Sequence, residues 1–167
     1  MAITRLGGAN AITGTIPTSV APGKGKVLQV VRTYANPASH IETTSTTLTS
    51  SGITATLTPT ASGNLIIVDF SSTMCDVTGS GDNGRGRMKV KVGSASYTDM
   101  SGALAYHIGY IQNGENRYAG VTFGGSYTTT STDTLIFQPY IMSPGGSNFR
   151  LVHDNASYAL TLTEVEQ

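Results

Sequence analysis

Ile53-Thr54-Ala55-Thr56-Leu57-Thr58 alternates apolar and hydroxyl side chains until Pro59 interrupts the run. Successive side chains of a strand point to opposite faces, so a period of two predicts a half-buried β-strand with Ile53, Ala55 and Leu57 turned inward. The pattern recurs on both sides of this stretch. Downstream, 64–75 is apolar on both parities, as in a strand covered on both faces. Met88, Val90 and Val92 alternate with Arg87, Lys89 and Lys91, one face dry and one wet. Residues 103–111 place Leu104, Tyr106, Ile108 and Tyr110 on one side, and Asn113-Gly114 is a hairpin signal leading into 117–123. The runs 135–142, 149–152 and 158–165 complete the C-terminal half. Upstream, 27–31 reads as the first strand and the Thr-rich 41–48 as extended chain. Turn clusters fall at 59–63, 79–86, 113–115, 124–126 and 144–147. Pro139 implies an edge position or a bulge within 135–142.

No stretch combines a sustained helical period with caps. Many short strands at near-regular spacing predict an all-β fold, an antiparallel β-sandwich of jelly-roll type, with an immunoglobulin-like sandwich as the second choice. Residues 26–167 form this domain. Residues 1–25 differ: isolated Ile3, Leu6, Ile12, Ile16 and Val20 stand among Gly, Thr, Ala and Pro. Such spacing builds no amphipathic face, so an extended N-terminal arm is expected there.

At 167 residues, one domain with a substantial core is expected. Only 12% of residues are charged and the formal net charge is zero, which argues against electrostatic steering to nucleic acid or to an anionic membrane. Ser and Thr supply about a quarter of the chain. A surface that is uncharged and rich in hydroxyls suits faces covered by neighbouring subunits, although β-proteins favour Thr in any case. The single cysteine, Cys75, excludes an internal disulfide and reads as a small buried hydrophobe. No apolar core of a signal peptide follows Arg5, and no segment approaches a membrane-spanning helix in length.

Candidate chemistry is sparse. Gly79-Ser80-Gly81-Asp82-Asn83-Gly84 spells GxGxxG, but a dinucleotide site needs a helix after it, and a strand pattern follows here. Residues 79–86 read instead as an exposed distal loop carrying Asp82, Asn83 and Arg85. Asp76, Asp82 and Asn83 lack EF-hand spacing for calcium. Arg85, Arg87, Lys89 and Lys91 form a basic stripe without a flanking aromatic platform, which fits an acidic neighbour or an edge guarded by charge better than nucleic acid. His40, His107 and His153 lack local metal-ligand spacing, so no metal or cofactor is expected. His107, amid small residues, could approach its own copies at a three-fold axis, but a hydrogen-bonded interface or core histidine is the preferred reading. The ten carboxylates are dispersed, and Asp69, in the most apolar run, is expected to be partly buried and paired. No catalytic residue set emerges, so no enzyme activity is expected. Tyr106, Tyr110, Tyr118, Tyr140 and Tyr158 are, with His107, candidates for an oligomer contact, because tyrosine combines apolar area with a polar tip.

The opening Met1-Ala2-Ile3-Thr4-Arg5-Leu6-Gly7-Gly8-Ala9-Asn10-Ala11-Ile12-Thr13-Gly14-Thr15-Ile16-Pro17 resembles the start of small virion proteins of marine and freshwater tailed phages, cyanophages in particular. The stretches 25–31, 43–51 and 53–68 are similar to the same group, so the resemblance spans about residues 1–75. It implies a trimeric jelly-roll sandwich without activity or cofactor. The expected role is a virion capsid decoration, or cement, protein assembled in the host bacterial cytoplasm. Its partners would be itself, as a homotrimer, and the major capsid protein or other virion subunits. Ile3, Arg5, Leu6, Ile12, Ile16 and Val20 would form the capsid-attachment arm. A tail- or head-fibre receptor-binding head is the alternative reading, and a cellular C1q-like ligand the third.

Overall fold

Ile53, Ala55 and Leu57 are each 2% exposed, and Thr54, Thr56 and Thr58 between them face water, as their alternation predicts. The computed structural model describes residues 25–79, 82–100 and 118–167, and Gly109–Tyr110 as backbone. The arm residues and the expected positions at Tyr106, His107 and Asn113-Gly114 lie outside these residues.

The described strands are β1 (Val27–Ala35), β2 (Ile41–Thr43), β3 (Thr49–Ser50), β4 (Ala55–Leu57), β5 (Leu65–Thr78), β6 (Asn83–Val92), β7 (Thr98–Asp99), β8 (Gly109–Tyr110), β9 (Ala119–Thr128), β10 (Leu135–Met142), β11 (Asn148–Val152) and β12 (Tyr158–Val165). Every pairing is antiparallel. One sheet runs β1-β12-β5-β11-β2, with β9 also on β5; the other runs β3-β10-β6-β7, with β4 on β10 and β8 on β6. The protein is an all-β sandwich of two antiparallel sheets. Phe70, Phe137 and Phe149, each 0% exposed, form its centre with Ile66, Val68, Met88, Leu151, Leu160 and Leu162. Tyr127 on β9 meets Phe137 on β10 edge-on at 6.1 Å, tying the two sheets together.

Strand β5 alternates more sharply than its sequence implies. Ile66, Val68 and Phe70 are fully buried, but Ile67 and Asp69 point to water. The outer face of this sheet is uncovered by the described residues, which corrects the expectations of a doubly covered strand and of a partly buried Asp69. The Thr-rich 41–48 is likewise not one strand. β2 belongs to the first sheet and β3 to the second, and the chain crosses between them on hydroxyl-capped turns. Thr43 Oγ1 accepts the Ser45 amide at 3.1 Å, and Ser45 Oγ accepts the Thr47 amide at 3.1 Å. Hydroxyl side chains thus replace the ladder where the backbone leaves a sheet.

Three breakers act differently from expectation. Residues 124–126 are not a turn: β9 runs straight through them. A Cβ on Gly124 would sit 1.8 Å from the Val68 carbonyl oxygen, so this glycine lets β5 and β9 approach closely. Pro139 is not on an edge, since β10 pairs with β6 on one side and with β3 and β4 on the other. Its carbonyl accepts the Ser51 amide at 3.1 Å, at the gap between β3 and β4. Its missing N–H therefore faces the point where the neighbouring strand is interrupted. The loop expected at 79–86 is shorter, because β6 begins at Asn83.

Candidate functional site

The outer face of the first sheet can be read row by row from its register. Val30, Thr163, Ile67 and Ser126 lie side by side across β1, β12, β5 and β9. The next row is Arg32, Thr161, Asp69 and Gly124, and the next Tyr34, Ala159, Ser71 and Thr122. In these rows one arginine and one aspartate are the only charges. Val27, Val30 and Tyr34 are each more than half exposed, and Ile67 is 38% exposed. The Arg32 guanidinium lies 5.5 Å from the Tyr34 ring centre, so even this cation rests on an aromatic face.

The two buried carboxylates that accept the most hydrogen bonds act as fasteners. Glu164 is fully buried and takes hydrogen bonds from Gln29 Nε2, the Thr60 amide and hydroxyl, and Asn64 Nδ2, between 2.6 and 2.8 Å. Burial pushes its carboxyl up, but the Asn64, Gln29 and Thr60 donors outweigh burial and hold it below the usual range. Asp82 departs from the exposed-loop expectation: it is 6% exposed. It accepts from the Ser143 hydroxyl and from the Asn83, Gly145 and Ser147 amides at 2.7–2.9 Å. Burial again opposes ionisation, and these four bonds overcome it, holding Asp82 well below the ordinary carboxylate range. Its oxygens close the loop between β10 and β11 against the start of β6. Gly84, the last glycine of the GxGxxG spelling, sits inside β6 where a Cβ would lie 2.2 Å from the Phe149 ring. It is a packing glycine.

Asp76, buried, pairs with Arg150 Nη1 at 3.0 Å, and Arg150 also meets Glu42 at 3.1 Å. Burial works against the guanidinium charge, and Glu42 and Asp76 more than compensate, raising its pKa. Asp76 and Asp82 are thus occupied by different partners and share no calcium-like arrangement. Cys75 is 4% exposed in the core; burial first, and the Asp76 charge second, push its thiol up to about 11.

The basic stripe lies on a central strand, since β6 is flanked by β10 and by β7 and β8. This corrects the reading of a guarded edge. Arg87 and Lys89 both pair with Asp99 on β7, and Lys89 Nζ stands 4.7 Å from the Tyr140 ring centre. Arg85 Nε donates to Asn83 Oδ1 at 3.1 Å, and both residues are half-buried. Of the tyrosines singled out, Tyr158 stacks on Phe70 at 6.3 Å and packs on the core, and Tyr140 meets Tyr97 at 5.7 Å. Tyr118 is 51% exposed, and Tyr110 contributes only its β8 backbone to the description.

One grouping has no local signal in the sequence. His40, just before β2, and His153, just after β11, come together with ring centres 4.4 Å apart beside Asp154. Nothing in their spacing relates residues 40 and 153; the pairing of β2 with β11 does.

No family model matches the chain, and no curated relative matches it. Among solved structures, it is similar to a VP2 subviral particle protein of infectious bursal disease virus, at 9% identity and TM-score 0.48 over 81% of this chain. It is similar to a structure of the Gx strain of the same virus at 11% identity and TM-score 0.36, over 82% of this chain. The chain spans 32% of each of these viral chains. It is also similar to the CBM22-1 xylan-binding domain of Paenibacillus barcinonensis Xyn10C, at 11% identity and TM-score 0.35, over 86% of this chain and 95% of that one. At these identities and scores the likenesses carry nothing about ligands or partners. Among the described residues, no helix is long and apolar enough to cross a membrane.

Proposed function

We propose that this protein is a structural subunit of a tailed-phage virion, a trimeric capsid decoration protein. Its sandwich would be covered in part by neighbouring subunits, and its N-terminal arm would lie on the major capsid protein through Ile3, Arg5, Leu6, Ile12, Ile16 and Val20. The observation that carries this reading is the charge-poor outer face built on Val27, Val30, Tyr34 and Ile67. A contiguous face with apolar side chains, hydroxyls and few charges, one arginine and one aspartate in three rows, gains on being covered. The resemblance of residues 1–75 to small virion proteins supports the same reading. A trimer would join three weak arm contacts into one strong attachment. The mechanism is mechanical, in that area buried across capsomers opposes internal pressure.

The test is the copy number in purified virions, by quantitative mass spectrometry against the major capsid protein. A decoration protein is expected in numbers of the same order as the capsid subunit. A count far below that sinks decoration and moves the reading to a fibre component.

A further inference from the structure

We propose that His40, His153 and Asp154 form a binding site for one borderline divalent metal ion, of the Zn²⁺, Cu²⁺ or Ni²⁺ class. Each residue offers one ligand atom, and the three atoms lie within 4.8 Å of one another. His40 Nδ1 is 3.7 Å from Asp154 Oδ1, and His153 Nδ1 touches the same oxygen. Two imidazoles and one carboxylate are the donors these metals prefer; Ca²⁺ and Mg²⁺ ask for oxygen alone.

The charge balance favours a cation here. Asp154 makes contact with the two imidazoles and, among the described residues, with no lysine or arginine. That sets it apart from Asp76 and Asp99, which face Arg150 and the Arg87–Lys89 pair. A metal ion would add positive charge beside the carboxylate and accept lone pairs from all three side chains.

The site is also held in place before any ion arrives. The Asn155 amide donates to the Pro37 carbonyl at 2.9 Å, joining the β11–β12 loop to the β1–β2 loop. The His153 amide donates to the Met74 carbonyl at 3.0 Å, and the Ala156 amide returns to the His153 carbonyl at 3.0 Å. Asn155 adopts a left-handed φ of 57°, which turns the chain sharply just after the ligands. The Tyr118 ring meets His153 edge-on at 5.0 Å and supports that imidazole. Fixed ligands bind with a smaller ordering cost. The Asp154 amide donates to His40 Nδ1 at 2.9 Å, so this nitrogen presents a lone pair. Binding at that nitrogen exchanges the amide for the metal. Three protein ligands leave a coordination position open to water or to a neighbouring subunit.

The experiment is isothermal titration of Zn²⁺ into the untagged full chain after dialysis against EDTA, with Mg²⁺ as the control, followed by thermal melts with and without Zn²⁺. One ion per chain is expected, with a higher Tm in Zn²⁺ and none of this in Mg²⁺. His153→Gln and, as a second variant that keeps both rings, Asp154→Asn should each weaken Zn²⁺ at least about tenfold. Histidine ring signals in NMR should move at His40 and His153 together. The proposal is overturned if Zn²⁺ produces neither heat nor a Tm shift, or if folded variants bind it as the parent does. The readout is on the isolated protein, so either result leaves the virion reading untouched.

Discussion

Ile66 and Ile67 are the same residue at adjacent positions of β5, and they have opposite fates. Ile66 is 0% exposed and packs in the core; Ile67 is 38% exposed and sits in the outer row with Val30 and Thr163. Hydrophobicity alone does not decide what a side chain does in this sheet. The inner face supplies stability, because it is already covered by the second sheet. The outer face carries similar chemistry, and among the described residues nothing covers it.

The comparison can be broken first at Gly124. Gly124→Val places a side chain where the Val68 carbonyl stands, so β5 and β9 must part. A loss on the order of 3 kcal/mol or more is expected, enough to leave little folded protein. A denaturant midpoint equal to the parent's would show that the close approach is dispensable. On the inner face, Phe70→Ala removes a ring in contact with Phe123 and Tyr158 and should cost about 3–5 kcal/mol in chemical denaturation. A loss under about 1 kcal/mol would mean that the core collapses around the gap.

Polar nodes inside the sandwich should behave like the inner face. Asp82→Ala strands the four donors that fasten the β10–β11 loop, at a cost of roughly 2–3 kcal/mol. Asp69→Ala, on the outer face, should stay within about 0.5 kcal/mol of the parent. Comparable losses in the two variants would erase the distinction. Acid gives a second view of the same nodes. Asp82 and Glu164 titrate lower in the folded chain than in the unfolded one. Their contribution is therefore complete above the unfolded carboxylate pKa. It drains away as pH falls through that range towards the folded values, because the unfolded chain takes up protons first. Thermal melts from neutral to acid pH should show this decline, and the Asp82→Asn, Glu164→Gln double variant should show a flatter one.

The smallest change in stability is expected on the outer face itself. Val30→Thr and Ile67→Thr should alter folding by no more than about 0.5 kcal/mol. The same pair should reduce self-association or incorporation into particles, read by light scattering or by copy number. Unchanged assembly would assign the face to ordinary solvent exposure.

The alternations at 53–58 and 87–92 determine strands by themselves, because one covered face imposes a period of two whatever the neighbours are. The all-β class and the inward residues Ile53, Ala55, Leu57, Met88 and Val90 follow from that local rule, and the core role of Cys75 from its place at the end of an apolar run. The rule is silent on what lies across a sheet. Whether Gly124-Gly125 turns or continues depended on how near β5 comes. Whether Asp82 is exposed depended on donors that lie 61 to 65 residues further along the chain. His40 and His153 meet only because β2 and β11 pair, and Val30 and Ile67 share a face only through the register of β12 between them. Sequence carries a periodicity that burial imposes one residue at a time, whereas these contacts depend on strand order and register, which only the packed chain determines.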